Sequence, residues 1–191
     1  MSKAASQRFA FTATPLSGVF VVHRQPLGDA RGLLSRLFCG TELARIGWHK
    51  PVAQINHTHT MRRATVRGLH YQRAPHAEMK LVTCLRGDVW DVVVDLRAGS
   101  PSFLHWHAER LSAGNACAML IPEGCAHGLQ TLVDDTELLY CHSMPYAPEA
   151  DAGLCPLDRR LGIRWPLPVS LLSERDARHP PVDAGFEGVC S

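Results

Sequence analysis

Arg67, His70, Gln72 and Lys80 fall within one short stretch of the chain. A histidine set among cations suits the removal of a proton from a carbon acid, because imidazole titrates near neutral pH and positive charge attracts an anionic substrate. Residue types alternate with period two from Val66 to Gln72, which predicts a strand. That period sends Arg67, Leu69 and Tyr71 to one face and Val66, Gly68, His70 and Gln72 to the other. A lone histidine in such a strand would read as a half-exposed structural residue. The cationic neighbours favour chemistry.

Eleven histidines raise metal ligation as a competing use. Jelly rolls of the cupin type hold a metal with two histidines and a glutamate from one strand motif, and a further histidine from a Pro-x-Gly-x-x-His motif. The second motif is present as Pro122-Glu123-Gly124-Cys125-Ala126-His127. Laying the first on Gly68 and Gly87 puts Ala74 and His76 at the histidine positions and Lys80 at the glutamate position. A cation in place of an anionic ligand opposes a metal, so the frame is expected to hold neither metal nor other cofactor. The pairs His57/His59 and His105/His107 have i, i+2 spacing but no carboxylate beside them in sequence, and read as structural or surface pairs.

These residues need a scaffold of strands. From Pro51 to Met144 strand-like runs follow closely at 52–57, 66–72, 80–85, 88–96, 103–111, 117–121, 126–132 and 136–143, with turn residues such as Arg86-Gly87-Asp88 and Ala113-Gly114-Asn115 between them. Many short strands without helices between them predict an all-β antiparallel jelly-roll sandwich or barrel, cupin-like, with a few short helices. An earlier strand is expected at 19–23, a turn at 26–29, a short helix near 39–45 with Thr41 as cap, and a helical turn or two at 170–177. The 191 residues suit one domain, 1–191, with 1–15 and 178–191 as peripheral tails.

With 46% hydrophobic and 20% charged residues, the composition is that of an ordinary globular protein, and no apolar run approaches the roughly 20 residues that span a bilayer. The N-terminus carries no signal-peptide pattern. A net charge of +2 is too small and too dispersed to indicate nucleic acid, while leaving room for a small anionic ligand. Seven cysteines, widely spaced and without a CxxC, indicate neither a disulfide framework nor a structural zinc site, and reduced thiols in a cytoplasmic protein are the expectation.

A longer series of segments resembles one family. Arg67 to Gln72, Lys80-Leu81-Val82, Gly87 to Arg97, Ile121-Pro122-Glu123-Gly124, Ala126-His127-Gly128, Thr136 to Tyr140, Ile163-Arg164-Trp165-Pro166 and Leu172 to Asp176 are similar, in order, to the dTDP-4-dehydrorhamnose 3,5-epimerase family. The resemblance implies a metal-free jelly-roll homodimer that inverts carbons flanking the 4-keto group of a nucleotide-linked 6-deoxyhexose. The ketone acidifies the protons on C3 and C5, so a base takes one from one face and an acid returns one to the other. By resemblance His70 is the base, Asp176 its carboxylate partner, Tyr140 the opposite-face acid, and Lys80 the cation at the enolate oxygen. Arg31, Gln54, Asn56, Arg67, Gln72 and His127 fall at the substrate contacts.

Taken singly, Tyr140 would read as a core aromatic, Lys80 and Arg67 as solvated strand residues, and Asp176 as an ordinary helix residue; their joint occurrence in family order favours the site. The chain departs from the family at Cys141, Pro145, Pro156, Cys125 and Leu129, where lysine or aromatic residues are usual. The expected substrate is dTDP-4-keto-6-deoxyglucose or a relative. The alternatives are inversion of C3 or C5 alone, a non-catalytic sugar-nucleotide binder, or a metal-binding cupin.

Overall fold

The structure, a computed structural model, describes residues 7–190. Its elements are β1 (Phe9–Ala13), β2 (Phe20–Arg24), β3 (Leu27–Asp29), β4 (Gly32–Leu34), α1 (Gly40–Leu43), β5 (Gln54–Thr60), β6 (Val66–Gln72), β7 (Lys80–Arg86), β8 (Asp88–Asp95), β9 (Trp106–Ser112), β10 (Cys117–Ile121), β11 (Cys125–Thr131), β12 (Thr136–His142), β13 (Asp151–Gly153) and α2 (Glu174–Ala177). Apolar alternation along these strands is satisfied by two antiparallel sheets laid face to face. One runs β1-β2-β10-β7-β12-β5 and the other β13-β6-β11-β8-β9, while β3 and β4 form a separate hairpin. This is the antiparallel jelly-roll sandwich that the strand spacing predicts.

Burial explains why many strands read as nearly continuous apolar runs. Val82, Cys84, Met119, Leu129 and Leu138 meet between the sheets. The alternate residues point outward and are covered too: Leu81 and Leu120 lie under α1 and Trp48, and Leu69, Val92 and Val94 under the C-terminal segment. Each fully buried aliphatic side chain contributes about 1.5–3 kcal/mol, so three apolar layers supply a full core.

Several expectations are corrected. The termini are not peripheral tails within the described residues: Phe9 of β1 is fully buried, and Val182 is buried with Phe186 and Val189 packed around it. A regular run of backbone pairs ties β1 to β2, and Val189 N–H donates to Leu96. Residues 26–29 enter a strand, β3, because Asp29 and Gly32 close a hairpin. Thr41 does not cap α1; Cys39 occupies the cap position and no side chain bonds there. The strand expected at 103–111 starts only at Trp106, since Leu104 takes a positive φ of 60° in a turn anchored on Asp95.

The most consequential correction lies in β6. In its pairing with β11, His70 faces His127 but Arg67 faces Leu129, so three residues of β6 advance against two of its neighbour. A bulge of this kind flips the faces of the residues beyond it. Arg67 and His70, assigned by period two to opposite faces, therefore share the inner one. Gly68 sits at the irregularity with φ +108°, and a Cβ there would lie 2.6 Å from the His127 carbonyl oxygen and 2.7 Å from Gly128 Cα. Only glycine allows this approach.

Candidate active site

Between the two sheets lies a cavity of about 430 Å³, with Arg67 and Asn56 among its exposed lining residues. His70, Lys80, His127, Tyr140 and Asp176 all line it. Register explains their meeting. His127 is opposite His70 across β11 and β6, and His142 is opposite Lys80 across β12 and β7. Tyr140 is opposite Asn56 across β12 and β5.

His70 is held by a residue far along the chain. Its Nε2 lies 2.8 Å from Asp176 Oδ1, while Asp176 Oδ2 accepts the Gly68 N–H at 3.0 Å. One carboxylate thus fixes both the ring and the bulge. Asp176 is itself fixed because Ser173 caps α2 by accepting the Asp176 N–H. The segment before α2 is pinned to β6 by the Val66 N–H bond to Leu171, and to the turn preceding that strand by the Ser170 N–H bond to Ala64. Burial pushes the Asp176 pKa up, but the hydrogen bonds from His70 and Gly68 outweigh it and hold the carboxyl below the usual range. An ionised Asp176 accepts a hydrogen bond from His70 Nε2–H and so leaves Nδ1 as the free base.

Tyr140 comes from the facing sheet. Burial, with the nearby Asp91 charge, raises its pKa well above the ordinary tyrosine value, so it is a protonated donor at neutral pH. Its ring stands edge-on to His127, with centroids 5.9 Å apart, and is stacked on His142 at 6.1 Å. His127 is oriented by the buried Asp91, Nε2 to Oδ1 at 2.7 Å. Lys80 is buried, with Nζ 3.2 Å from Glu78 and 3.4 Å from the His70 carbonyl. Glu78 also pairs with His142 Nδ1 at 2.7 Å, and although burial raises its pKa, the bonds to His142 and Lys80 bring it below the usual value.

Arg67 projects at the rim, donating from Nε to Thr60 at 2.9 Å, and makes no ion pair among the described residues. Asn56 lines the cavity, and Gln54 stands just behind it, donating to Asn56 Oδ1 and accepting the Tyr146 N–H. Gln72 is not in the cavity. Its amide donates to the His76 and Pro145 carbonyls and accepts the Ala147 N–H, so it braces the 145–147 turn. Arg31 is also absent from the cavity: it lies exposed on the β3–β4 hairpin, paired with Asp29. His76 pairs with the exposed Glu149 outside the cavity, so the cupin ligand positions are not assembled. Of the pairs read as structural or surface features, His57 and His59 lie exposed and pair with Glu137 and Asp135, whereas His107 is partly buried and its Nε2 has no hydrogen-bond partner.

Sequence reasoning missed Glu78, Asp91 and His142. His142 had a signal, since it lies two residues beyond Tyr140 on one strand and shares its face. Asp91 and Glu78 become visible only through sheet register. Of the departures from the family pattern, Leu129 alone reaches the cavity; Cys141 packs under α1 and Cys125 in the inner core.

Residues 13–184 match the family model described as dTDP-4-dehydrorhamnose 3,5-epimerase. The chain belongs to the dTDP-4-dehydrorhamnose 3,5-epimerase family. It is 37% identical over 171 residues to the dTDP-4-dehydrorhamnose 3,5-epimerase of Sinorhizobium fredii, covering 89% of this chain and 88% of that one. Among solved structures it is similar to the dTDP-6-deoxy-D-glucose-3,5-epimerase of Legionella pneumophila in complex with dTDP-4-keto-L-rhamnose. There the TM-score is 0.88 at 30% identity, over 96% of this chain and 99% of that one. A 3'-monoepimerase of Streptomyces bikiniensis in complex with dTDP-quinovose is also similar, with a TM-score of 0.80 at 34% identity over 88% and 85% of the two chains. Like its relatives, this member of the family is an isomerase with a cupin-like jelly roll.

Proposed function

We propose that the cavity inverts C3 and C5 of dTDP-4-keto-6-deoxyglucose through an enolate, yielding dTDP-4-keto-rhamnose, with His70 as base and Tyr140 as acid. The observation that carries this reading is their placement on facing sheets across one cavity, β6 and β12. A sugar ring between them meets a base on one face and a proton donor on the other, which inversion requires.

His70 Nδ1 takes the proton from the carbon beside the ketone, and the imidazolium that results is stabilised by ionised Asp176. The electron pair moves to the ketone oxygen, where the Lys80 ammonium stabilises the developing negative charge more than it stabilises the neutral ketone. Tyr140 returns a proton to the opposite face. Arg67, with its fork free of acidic partners, suits the diphosphate, and Asn56, Gln54 and His127 suit the sugar and nucleotide hydroxyls. Gln72 acts indirectly, by bracing the turn at the cavity edge.

Arg31 lines only a shallow recess of its own hairpin and not the cavity that holds His70 and Tyr140, so a contact between it and a substrate in that cavity requires a second copy. A homodimer accords with the exposed Leu33 and Leu34 on the same hairpin, each 72% accessible. Size-exclusion chromatography with light scattering checks this: a monomer at micromolar concentration refutes it.

Incubation with dTDP-4-keto-6-deoxyglucose in D2O tests the reaction. Deuterium at both C3 and C5 is expected. Label at one carbon alone assigns the chain to single-centre epimerases like its S. bikiniensis neighbour, and binding without label removes the catalytic reading.

A further inference from the structure

Close to the base stands a histidine that the epimerisation does not use. His179, three residues beyond Asp176, packs edge-on against His70 with ring centroids 5.6 Å apart. Its Nε2 is buried, has no hydrogen-bond partner, and lies 3.8 Å from Asp176 Oδ1, too far for a bond. A buried ring nitrogen without a partner is uncommon and calls for an explanation. His70 Nε2, Asp176 Oδ1 and His179 Nε2 all lie within 4.8 Å of one another, and no other group of three His, Cys, Asp or Glu residues is so arranged among the described residues.

We propose that His70, Asp176 and His179 form an inhibitory site for a divalent transition metal of the Zn2+ class. Two imidazoles and a carboxylate are a common ligand set for zinc. Ligand atoms about 2.0–2.2 Å from a tetrahedral ion stand about 3.3–3.6 Å from each other. The present separations of 2.8 and 3.8 Å from Asp176 Oδ1 bracket that value, so small side-chain shifts suffice. The cavity opens on His70, and a surface recess beside His179, Arg175 and Arg178 offers room for a water as fourth ligand. The two arginines there would oppose a cation, but Arg175 pairs with Asp151 at 2.5 Å and Arg178 with Glu174 at 2.7 Å.

Inhibition follows from the tautomer. The metal takes the lone pair of His70 Nε2, and the proton that Nε2 donated to Asp176 moves to Nδ1. Protons and electrons balance without any redox partner. Nδ1–H has no lone pair in the ring plane, so the base is extinguished while the fold is untouched. The inhibitory consequence rests on His70 being the epimerase base; metal binding itself does not.

Co2+ provides the probe, because its visible absorption reports nitrogen and oxygen ligation directly. The dialysed full-length protein should bind one equivalent of Co2+ with tetrahedral-type absorption, Zn2+ should displace it, and a chelator should strip it. Deuterium exchange into the keto sugar should fall in parallel with occupancy and return with the chelator. His179→Ala and His179→Gln should each keep metal-free exchange within a few-fold of the native rate. Each should weaken Co2+ binding by at least about tenfold, the loss that removing even an outer-shell partner produces. The proposal is overturned by the absence of such absorption, by equal binding in both His179 variants, or by full exchange activity with the site occupied. A protein that binds Co2+ as described but never exchanges deuterium, even metal-free, defeats the epimerase reading and the inhibitory role while retaining the site.

Discussion

Asp176→Asn probes the centre of the site. Asp176 accepts two hydrogen bonds at once, from His70 at 2.8 Å and from the Gly68 N–H at 3.0 Å. Asparagine offers one acceptor oxygen and one donor, so it cannot serve both. If its oxygen keeps Gly68, its NH2 faces His70 Nε2 and forces the proton onto Nδ1, which removes the base. If the oxygen keeps His70, the buried Gly68 N–H is orphaned, at a cost of about 1–3 kcal/mol. The first arrangement keeps the bulge intact and is expected to dominate. An asparagine that traps the wrong tautomer lowers turnover about 10⁴-fold in serine proteases, roughly 5 kcal/mol of barrier, and a loss of about 10³–10⁴-fold is expected here.

Deuterium exchange at C3 and C5 measures the loss, with circular dichroism confirming the fold. Exchange within tenfold of the native rate would refute the role given to Asp176. The same carboxylate makes a pH prediction. Its folded pKa is depressed, so its contribution to stability is fully present above the unfolded value near pH 4 and is lost as pH falls through the lower folded one. Between pH 7 and 5 this group should leave the melting temperature unchanged. Below pH 4 the native protein should lose stability faster than Asp176→Asn.

Gly68→Ala places a Cβ 2.6 Å from the His127 carbonyl oxygen at φ +108°. Positive φ and overpacking each cost about 1–3 kcal/mol. A net loss of roughly 3 kcal/mol lowers Tm by about 6–12 °C in scanning calorimetry, and an unchanged Tm would count against the bulge geometry. Tyr140→Phe should retain proton loss from C3 and C5, seen as solvent exchange, while inverted product falls at least about 100-fold, whereas His70→Asn should abolish both. Equal loss of exchange and inversion in Tyr140→Phe would remove Tyr140 from the role of opposite-face acid.

The strand spacing, the breaks at Arg86-Gly87-Asp88 and Ala113-Gly114-Asn115, and the apolar alternation made the jelly roll legible, because period-two burial and turn chemistry are local properties of the chain. The resemblance in segment order pointed to His70, Lys80, Tyr140 and Asp176, and the fold brings all of them to one cavity. Local pattern failed at Gly68. A bulge depends on the partner strand, so the shared face of Arg67 and His70 could not follow from alternation within β6. It failed again for Arg31 and Gln72, whose side chains the fold commits to a surface hairpin and to the 145–147 turn. Three histidine–carboxylate pairs, His70–Asp176, His127–Asp91 and His142–Glu78, come together only in tertiary structure. Their partners lie 106, 36 and 64 residues apart, a separation that only sheet register and the docking of α2 can close. The sequence by itself determined which chemical groups were available and which architecture would carry them. The tertiary structure decided which carboxylate holds which ring, and that choice sets the tautomer of His70.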